Sequence, residues 1–417
     1  MTAPQGDHVL EQEFDRVVAD DPTVDRAAVF ARLREEEPVF FSETLQAWVV
    51  SRHHDVREVL RDSESFRAVQ SGPGAPPYGR TYLHMEGREH AKKVGVVATR
   101  IRSRNALRDG LDARVHDISV RTAEALTHGA PVELRREFAM WIPLLAITEM
   151  TDLGHEESFE RWYRAVGSGG VASVNNPEAR TRALAARDEL ESFLAPYVEE
   201  RRRNPGSDLI SSLAAAEYDG QPLPLSEIVS SVVFLLAAGV ETTERVLTSL
   251  LRHVALHPEA WDWLQERLDD EDAVAALSAE ALRFFPPVNG LMRRTVSEVR
   301  IGDTLVPEGQ RVCLLLVAAN RDPEVFADPE TFRVDRYVGQ GSKQFTAAGE
   351  ILPFGAGTHY CVGARLAQTE MRHALRELGS RVARIEPVGD LPPDEGFMLR
   401  CPPSLPVVLH TRAEVFA

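Results

Sequence analysis

From Leu225 to Leu256 apolar residues recur at three- and four-residue spacings with no helix breaker, and Pro258 closes the run. Ser226 is placed to cap its start. About 32 residues at 1.5 Å each make a rod of about 48 Å, which crosses a whole domain, so the rest of the chain has to pack around it. Its longest uncharged apolar stretch, Ile228 to Val240, falls well short of the roughly 20 residues a bilayer span needs and reads as a buried helix. The middle of such a rod should be bulky core. Instead Ala237-Ala238-Gly239 carries almost no side chain, and Glu241-Thr242-Thr243 adds an acid and two hydroxyls. Glycine costs about 1 kcal/mol in a helix interior, and threonine hydroxyls compete for backbone carbonyls. A close helix crossing with Glu241 on a solvated face would explain this stretch on its own; so would a functional site.

Around that rod the sequence reads as mainly α with minor β, one large domain over residues 1–417 with an irregular segment at 1–24. Helical spacing also marks Arg26 to Glu36, Asp55 to Asp62, Glu89 to Arg104, Leu111 to Leu126, Ala179 to Arg203, Pro258 to Asp269, Val274 to Phe285 and Gly363 to Ser380. Pro38 to Ser51 predicts a hairpin and Val299 to Val317 two further strands. The 47 Lys and Arg against 64 Asp and Glu leave a net charge of −17, which argues against nucleic acid and anionic membranes as partners. Three cysteines in 417 residues make no disulfide framework and suggest a reducing compartment. With no signal-peptide pattern from Met1 to Glu13, a cytoplasmic monomer is expected.

The cysteine with a chemical setting is Cys361, in Phe354-Gly355-Ala356-Gly357-Thr358-His359-Tyr360-Cys361-Val362-Gly363, just before a helix. Glycines let the backbone turn tightly on both sides, and the positive end of the helix stabilises a thiolate. A lone thiolate of this kind suits axial ligation of a haem iron, whereas zinc would need further Cys or His ligands nearby. Cys313, in an apolar strand, and Cys401, beside Pro402, read as structural.

At these residues the chain resembles the cytochrome P450 family, the haem-thiolate monooxygenases, and its bacterial members most closely. The Cys361 loop matches the haem-binding signature, Glu280-Ala281-Leu282-Arg283 the E-x-x-R helix, and Ala238 to Thr243 the oxygen-activating segment. Ala319 to Pro323 and Phe332 to Tyr337 fit the segments between them. The resemblance implies haem b lying between the long helix and the helix after Cys361, with Cys361 on the iron. It implies contacts from Ala238, Phe354, Gly355 and Gly363, and propionate partners at His90, Arg293 and His359. Val94 stands where the family commonly has a second propionate arginine; Lys92 is one candidate replacement. Glu280 and Arg283 would form a buried triad with Arg336 bracing the cysteine loop, and Glu241 with Thr242 would deliver protons to bound dioxygen (O2).

A mid-sized, mostly apolar organic substrate would meet Phe234, Ala237, Val288, Asn289, Leu291, Met292 and Met398. The loops from Val69 to Leu83 and from Gly167 to Pro177 would move as a lid, and Asn289 would offer a hydrogen bond. No G-x-G-x-x-G opens a helix after a strand, so electrons should come from a separate protein, which the resemblance implies is a ferredoxin with its ferredoxin reductase. Between Arg88 and Arg108 seven Lys and Arg face one acid, and from Cys361 to Arg384 five face two, which suggests a basic docking face on an acidic molecule. The alternative from another class is a non-catalytic haem-thiolate protein that binds a ligand or senses a gas. A binder has no use for the Glu241 and Thr242 pair.

Overall fold

The long helix forms over Leu225–Leu256 but not as one unbroken α-helix. In the computed structural model, which describes residues 9–69, 79–101, 110–154, 156–168 and 177–411, it is α-helical over Leu225–Leu235, widens into a π turn at Leu236–Val240, and resumes over Glu241–Leu256. A π turn inserts a residue into the ladder and slackens the hydrogen bonds around it. It falls on the Ala-Ala-Gly stretch, where small side chains permit it. A Cβ on Gly239 would stand 3.3 Å from Ile147 Cδ1, so that glycine also serves a close helix crossing. Pro224 precedes the first turn and no side chain caps it, so Ser226, already inside the helix, does not act as the cap. By length and composition this helix could cross a membrane. Here it runs through protein instead, with Val229, Val232, Val233, Leu236, Leu247, Leu250 and Leu251 covered.

Helices dominate the rest. They include Arg26–Glu36, His53–Arg61, Gly87–Ile101, Asp112–Glu124, Pro177–Arg203, Pro258–Gln265, Glu271–Phe284 and the cysteine helix Ala364–Arg381, all within a few residues of the sequence expectation. Two regions depart from it. The N-terminal segment expected to be irregular holds a helix, Val9–Val18, because Leu10, Phe14 and Val17 fall on one face. Phe14 packs edge-on against Phe40 and Phe397, which anchors it. Trp141–Thr151 is a helix buried on nearly every side. Its sequence shows no apolar periodicity because there is no solvated face to create one.

One sheet has the order β1-β2-β10-β7-β3, formed by Val39–Ser42, Ala47–Val50, Arg311–Leu315, Gly290–Thr295 and Phe66–Ala68. The Val39 to Val50 hairpin is as predicted, and β10 joins it in parallel. Strand β7 runs antiparallel to β10, pairing Leu291 with Leu314 and Arg293 with Val312. Val382–Pro387, Pro406–Thr411 and Pro131–Glu133 make a second, three-stranded sheet. The largest apolar core surrounds the long helix, and two smaller ones lie against the two faces of the five-stranded sheet.

Candidate active site

The cysteine loop is fixed by its backbone. The Cys361 amide donates to Phe354 O at 2.9 Å and Gly355 N to Leu352 O at 2.9 Å, and Phe354 is buried against Phe345. Gly355 and Gly357 sit at φ of 68° and 69°, the left-handed region that favours glycine. Any Cβ on Gly357 would also stand 2.8 Å from Leu60 O, so this glycine is required twice over. Three residues after Cys361 the cysteine helix begins at Ala364, with Gly363 as its N-cap. Cys361 itself is exposed, although the surrounding loop and helix are largely covered.

The long helix supplies the second wall. Ala237, Ala238, Gly239, Glu241 and Thr242 all keep partial exposure in the middle of a helix that is otherwise core. Thr242 Oγ1 donates to Ala238 O at 2.8 Å, bonding back to a carbonyl within the π turn. Thr243 Oγ1 donates to Glu370 Oε2 at 3.0 Å, tying the long helix to the cysteine helix. Glu370 has no cation beside it among the described residues, and burial pushes its carboxyl up to about 8. Tyr82 packs edge-on against Phe234 with ring centroids 5.2 Å apart. It also lies close enough to Cys361 to feel a thiolate charge, which adds to burial in raising its phenol. The two walls therefore face one another across Tyr82.

Glu280 and Arg283 are wholly buried and joined by two bonds of 2.8 Å, and Arg336 Nε adds a third to Glu280 at 3.0 Å. The remaining guanidinium hydrogens go to carbonyls of Asn320, Pro329, Thr331, Ala327 and Asp328. The triad thus grips the 320–333 segment directly. It reaches the cysteine loop through Asn320, whose side chain accepts the Leu352 amide at 2.8 Å. Asn320 in this bridging role is legible in the sequence only as part of a family segment.

His90 and His359 come together with ring centroids 4.3 Å apart, and Arg293 is buried with the Met292 carbonyl as its bonded partner among the described residues. Burial lowers the Arg293 pKa, and Glu86 partly offsets this. Glu86 also stands 3.1 Å from His359 Nε2, an acid among these cations that sequence reasoning missed. Val94 packs against the main core. The Lys92 ammonium lies over the Tyr218 ring at 5.6 Å.

Of the substrate candidates, Phe234 and Ala237 lie on the long helix beside Thr242's turn, and Val288 bridges to Leu399. Asn289 is buried: its side-chain nitrogen donates to Phe397 O, and its backbone N–H and C=O pair with Met398 O and the Val317 amide. Its side-chain oxygen takes no hydrogen bond among the described residues. Along β7, Leu291 shares a face with Arg293, whereas Met292 points to the opposite face and packs with Phe397 and Met398 against the N-terminal helix core. Met292 and Met398 thus lean on the N-terminal core while each keeps partial exposure. Residues 70–78 and 169–176 of the expected lid loops lie outside the described residues.

The residues present fit haem. They offer one exposed thiol at a helix start, an adjacent groove of small half-exposed residues, and two histidines and a buried arginine that can receive two propionates. The family model for Cytochrome P450 matches residues 171–382. Pulcherriminic acid synthase of Bacillus subtilis is 31% identical over 354 residues, covering 82% of this chain and 85% of that protein. Nocardicin C N-oxygenase of Nocardia uniformis is 31% identical over 404 residues, covering 91% and 94%. Among solved structures, cytochrome P450 EryK from S. erythraea aligns with a TM-score of 0.80 at 28% identity over 94% of this chain and 97% of that one. Sequence, fold and site agree: the chain belongs to the cytochrome P450 family, whose cofactor is haem b held through a cysteine thiolate.

Proposed function

We propose that this P450 oxidises a mid-sized, mostly apolar natural product of secondary metabolism, drawing electrons from a ferredoxin and its reductase in the cytoplasm. When bound, haem b supplies the activation of dioxygen, which a thiolate ligand favours by donating electron density. Cys361 is the ligand in this reading, its anion stabilised by the start of the cysteine helix. Arg293, His359 and His90 hold the propionates, at which point Glu86 would have to release His359. Phe234 and Tyr82 give an apolar edge that excludes water. Relatives named erythromycin C-12 hydroxylase and nocardicin C N-oxygenase support the substrate class.

The observation that carries the oxidative reading is the acid and alcohol at the π turn. Thr242 keeps its hydroxyl in a half-open helix groove, where it can hold a water, and Glu241, the residue just before it, is the group that resupplies protons. The electron donor's docking site is less open than the sequence suggests. Arg88 is paired with Asp219, Lys93 with Glu89 and Glu227, Arg372 with Asp112 and Glu271, and Arg381 with Glu377 and Glu124. Arg102, Arg104 and Arg108 lie outside the described residues. The test begins with a carbon monoxide difference spectrum for thiolate ligation. A Soret titration against natural products then identifies a substrate. With that substrate, Thr242→Ala should lower product formed per reductant consumed by about 10- to 100-fold and release peroxide instead. Unchanged coupling would overturn the relay.

A further inference from the structure

Glu241 is one member of a buried polar cluster that the family signature does not describe. Arg245, one turn later on the same helix, places Nη2 2.6 Å and Nε 3.2 Å from Glu241 Oε1. Its third nitrogen, Nη1, stands 3.2 Å from Cys401 Sγ, 156 residues away in sequence. Both charged side chains are 13% exposed. Beside them Glu244 is paired with Arg135 at 2.7 Å and with the Tyr163 hydroxyl, and Arg135 also donates to Pro402 O at 2.9 Å. Glu241 Oε2 takes no hydrogen bond among the described residues, so one oxygen is held and the other remains available.

We propose that Arg245, oriented by the Cys401 sulfur, is a positioning residue that keeps Glu241 ionised and holds its carboxylate beside the proton-delivery groove. This rests on the relay reading above and deepens it. The groups facing Glu241 are Arg245 and Glu244 on its own helix, Arg135 on the Arg135–Ala139 turn and Tyr163 on Glu156–Ser168, with Cys401 behind Arg245. Burial raises the Glu241 carboxyl above its ordinary range, and Arg245 and Arg135 pull it down while Glu244 pushes it up. Burial alone would weaken Arg245's hold on its proton, and the Glu241 carboxylate opposes this, while burial keeps Cys401 a neutral thiol. Two acids and two arginines balance, so loss of Arg245 leaves a net negative, dry cluster in which Glu241 should take up a proton.

The test is infrared difference spectroscopy of the haem-loaded protein between acid and alkaline pH, with Glu241→Gln in each background to assign the carboxyl band. In Arg245→Met the Glu241 midpoint should rise by about 1 to 3 pH units, and Arg245→Lys should restore most of it. The Cys401 S–H band, identified by its loss in Cys401→Ala, should shift in Arg245→Met. Cys401→Ala itself should move the Glu241 midpoint the same way by less. An unchanged Glu241 midpoint in Arg245→Met would overturn the proposal, and if that variant does not load haem, an unmoved midpoint in Cys401→Ala does so. A shifted midpoint combined with unaltered coupling in Thr242→Ala would sink the relay reading and leave Arg245's control of Glu241 standing.

Discussion

Two helices in this molecule each carry a buried glutamate bonded to an arginine within a turn, and they are built to opposite ends. Glu280 is wholly covered and both of its oxygens are saturated, by Arg283 twice, by Arg336 and by the Arg333 amide. Glu241 is partly open, has one oxygen held by Arg245 and keeps the other accessible. The same two residue types in near-identical local spacing thus serve as a clamp in one place and as adjustable chemistry in the other. The difference lies in how many donors converge from elsewhere in the chain. A saturated carboxylate cannot exchange protons without breaking the structure around it, whereas a half-saturated one can.

Glu280→Gln is the strongest way to break this contrast. It keeps shape but removes charge, leaving Arg283 and Arg336 buried without a counter-ion, which should cost about 3 to 5 kcal/mol. Glu280→Ala should abolish haem incorporation altogether. Haem content by pyridine haemochrome and the denaturation midpoint measure both, and a variant purifying with full haem would show that the clamp is dispensable. Next in size is Glu370, a buried carboxyl with no cation beside it among the described residues. Its folded pKa of about 8 lies above the ordinary 4.5, so unfolding releases a proton between those values and stability falls as pH rises from 4.5 to 8. Glu370→Gln should remove that slope and gain up to a few kcal/mol at pH 8, with little change near pH 4.5. Parallel urea titrations at the two pH values would show it, and equal effects at both would contradict the assignment. Glu241→Gln should be milder still, about 1 kcal/mol, because Arg245 keeps the amide oxygen and Cys401 as partners.

Both helices were legible because their signals are local. A glutamate three residues from an arginine, glycines around one cysteine, and an acid beside a threonine can be read within ten residues. What was hidden is what decides the role of each. Cys401 looked inert beside Pro402 and proves to hold Arg245 across 156 residues. Tyr163 reaches Glu244 across 81, and Glu86 finds His359 across 273. Asn289 is conspicuous as an amide in an apolar run, and the carbonyl that holds its side-chain nitrogen lies 108 residues away. The helix Trp141–Thr151 escaped notice for the opposite reason, since a segment apolar on every side shows no periodicity.

A comparably modest effect concerns a base on the long helix's far end, and it extends the contrast from acids to histidine. His253 stacks against Phe332 and His257 with ring centroids 4.1 and 4.4 Å away and meets Phe285 at 5.6 Å. Burial, with His257 nearby, lowers its pKa from 6.5 to about 4. The unfolded chain therefore takes up a proton near pH 6.5 that the folded one refuses until about pH 4, so stability is full above pH 6.5 and declines as pH falls through that window. The site is partly open, and solvent screening limits the effect to about 1 to 2 kcal/mol. His253→Phe preserves the ring packing and removes the titration. It should match the wild type at pH 8 and be the more stable of the two near pH 4.5. If both proteins lose stability in parallel as acid is added, His253 is not the group that titrates. The acid sensitivity would then belong to carboxylates such as Glu89, which Arg80 and Lys93 hold at about 2. The pH range of the loss tells the two apart, because His253 acts above pH 4 and Glu89 acts chiefly below its ordinary value of 4.5.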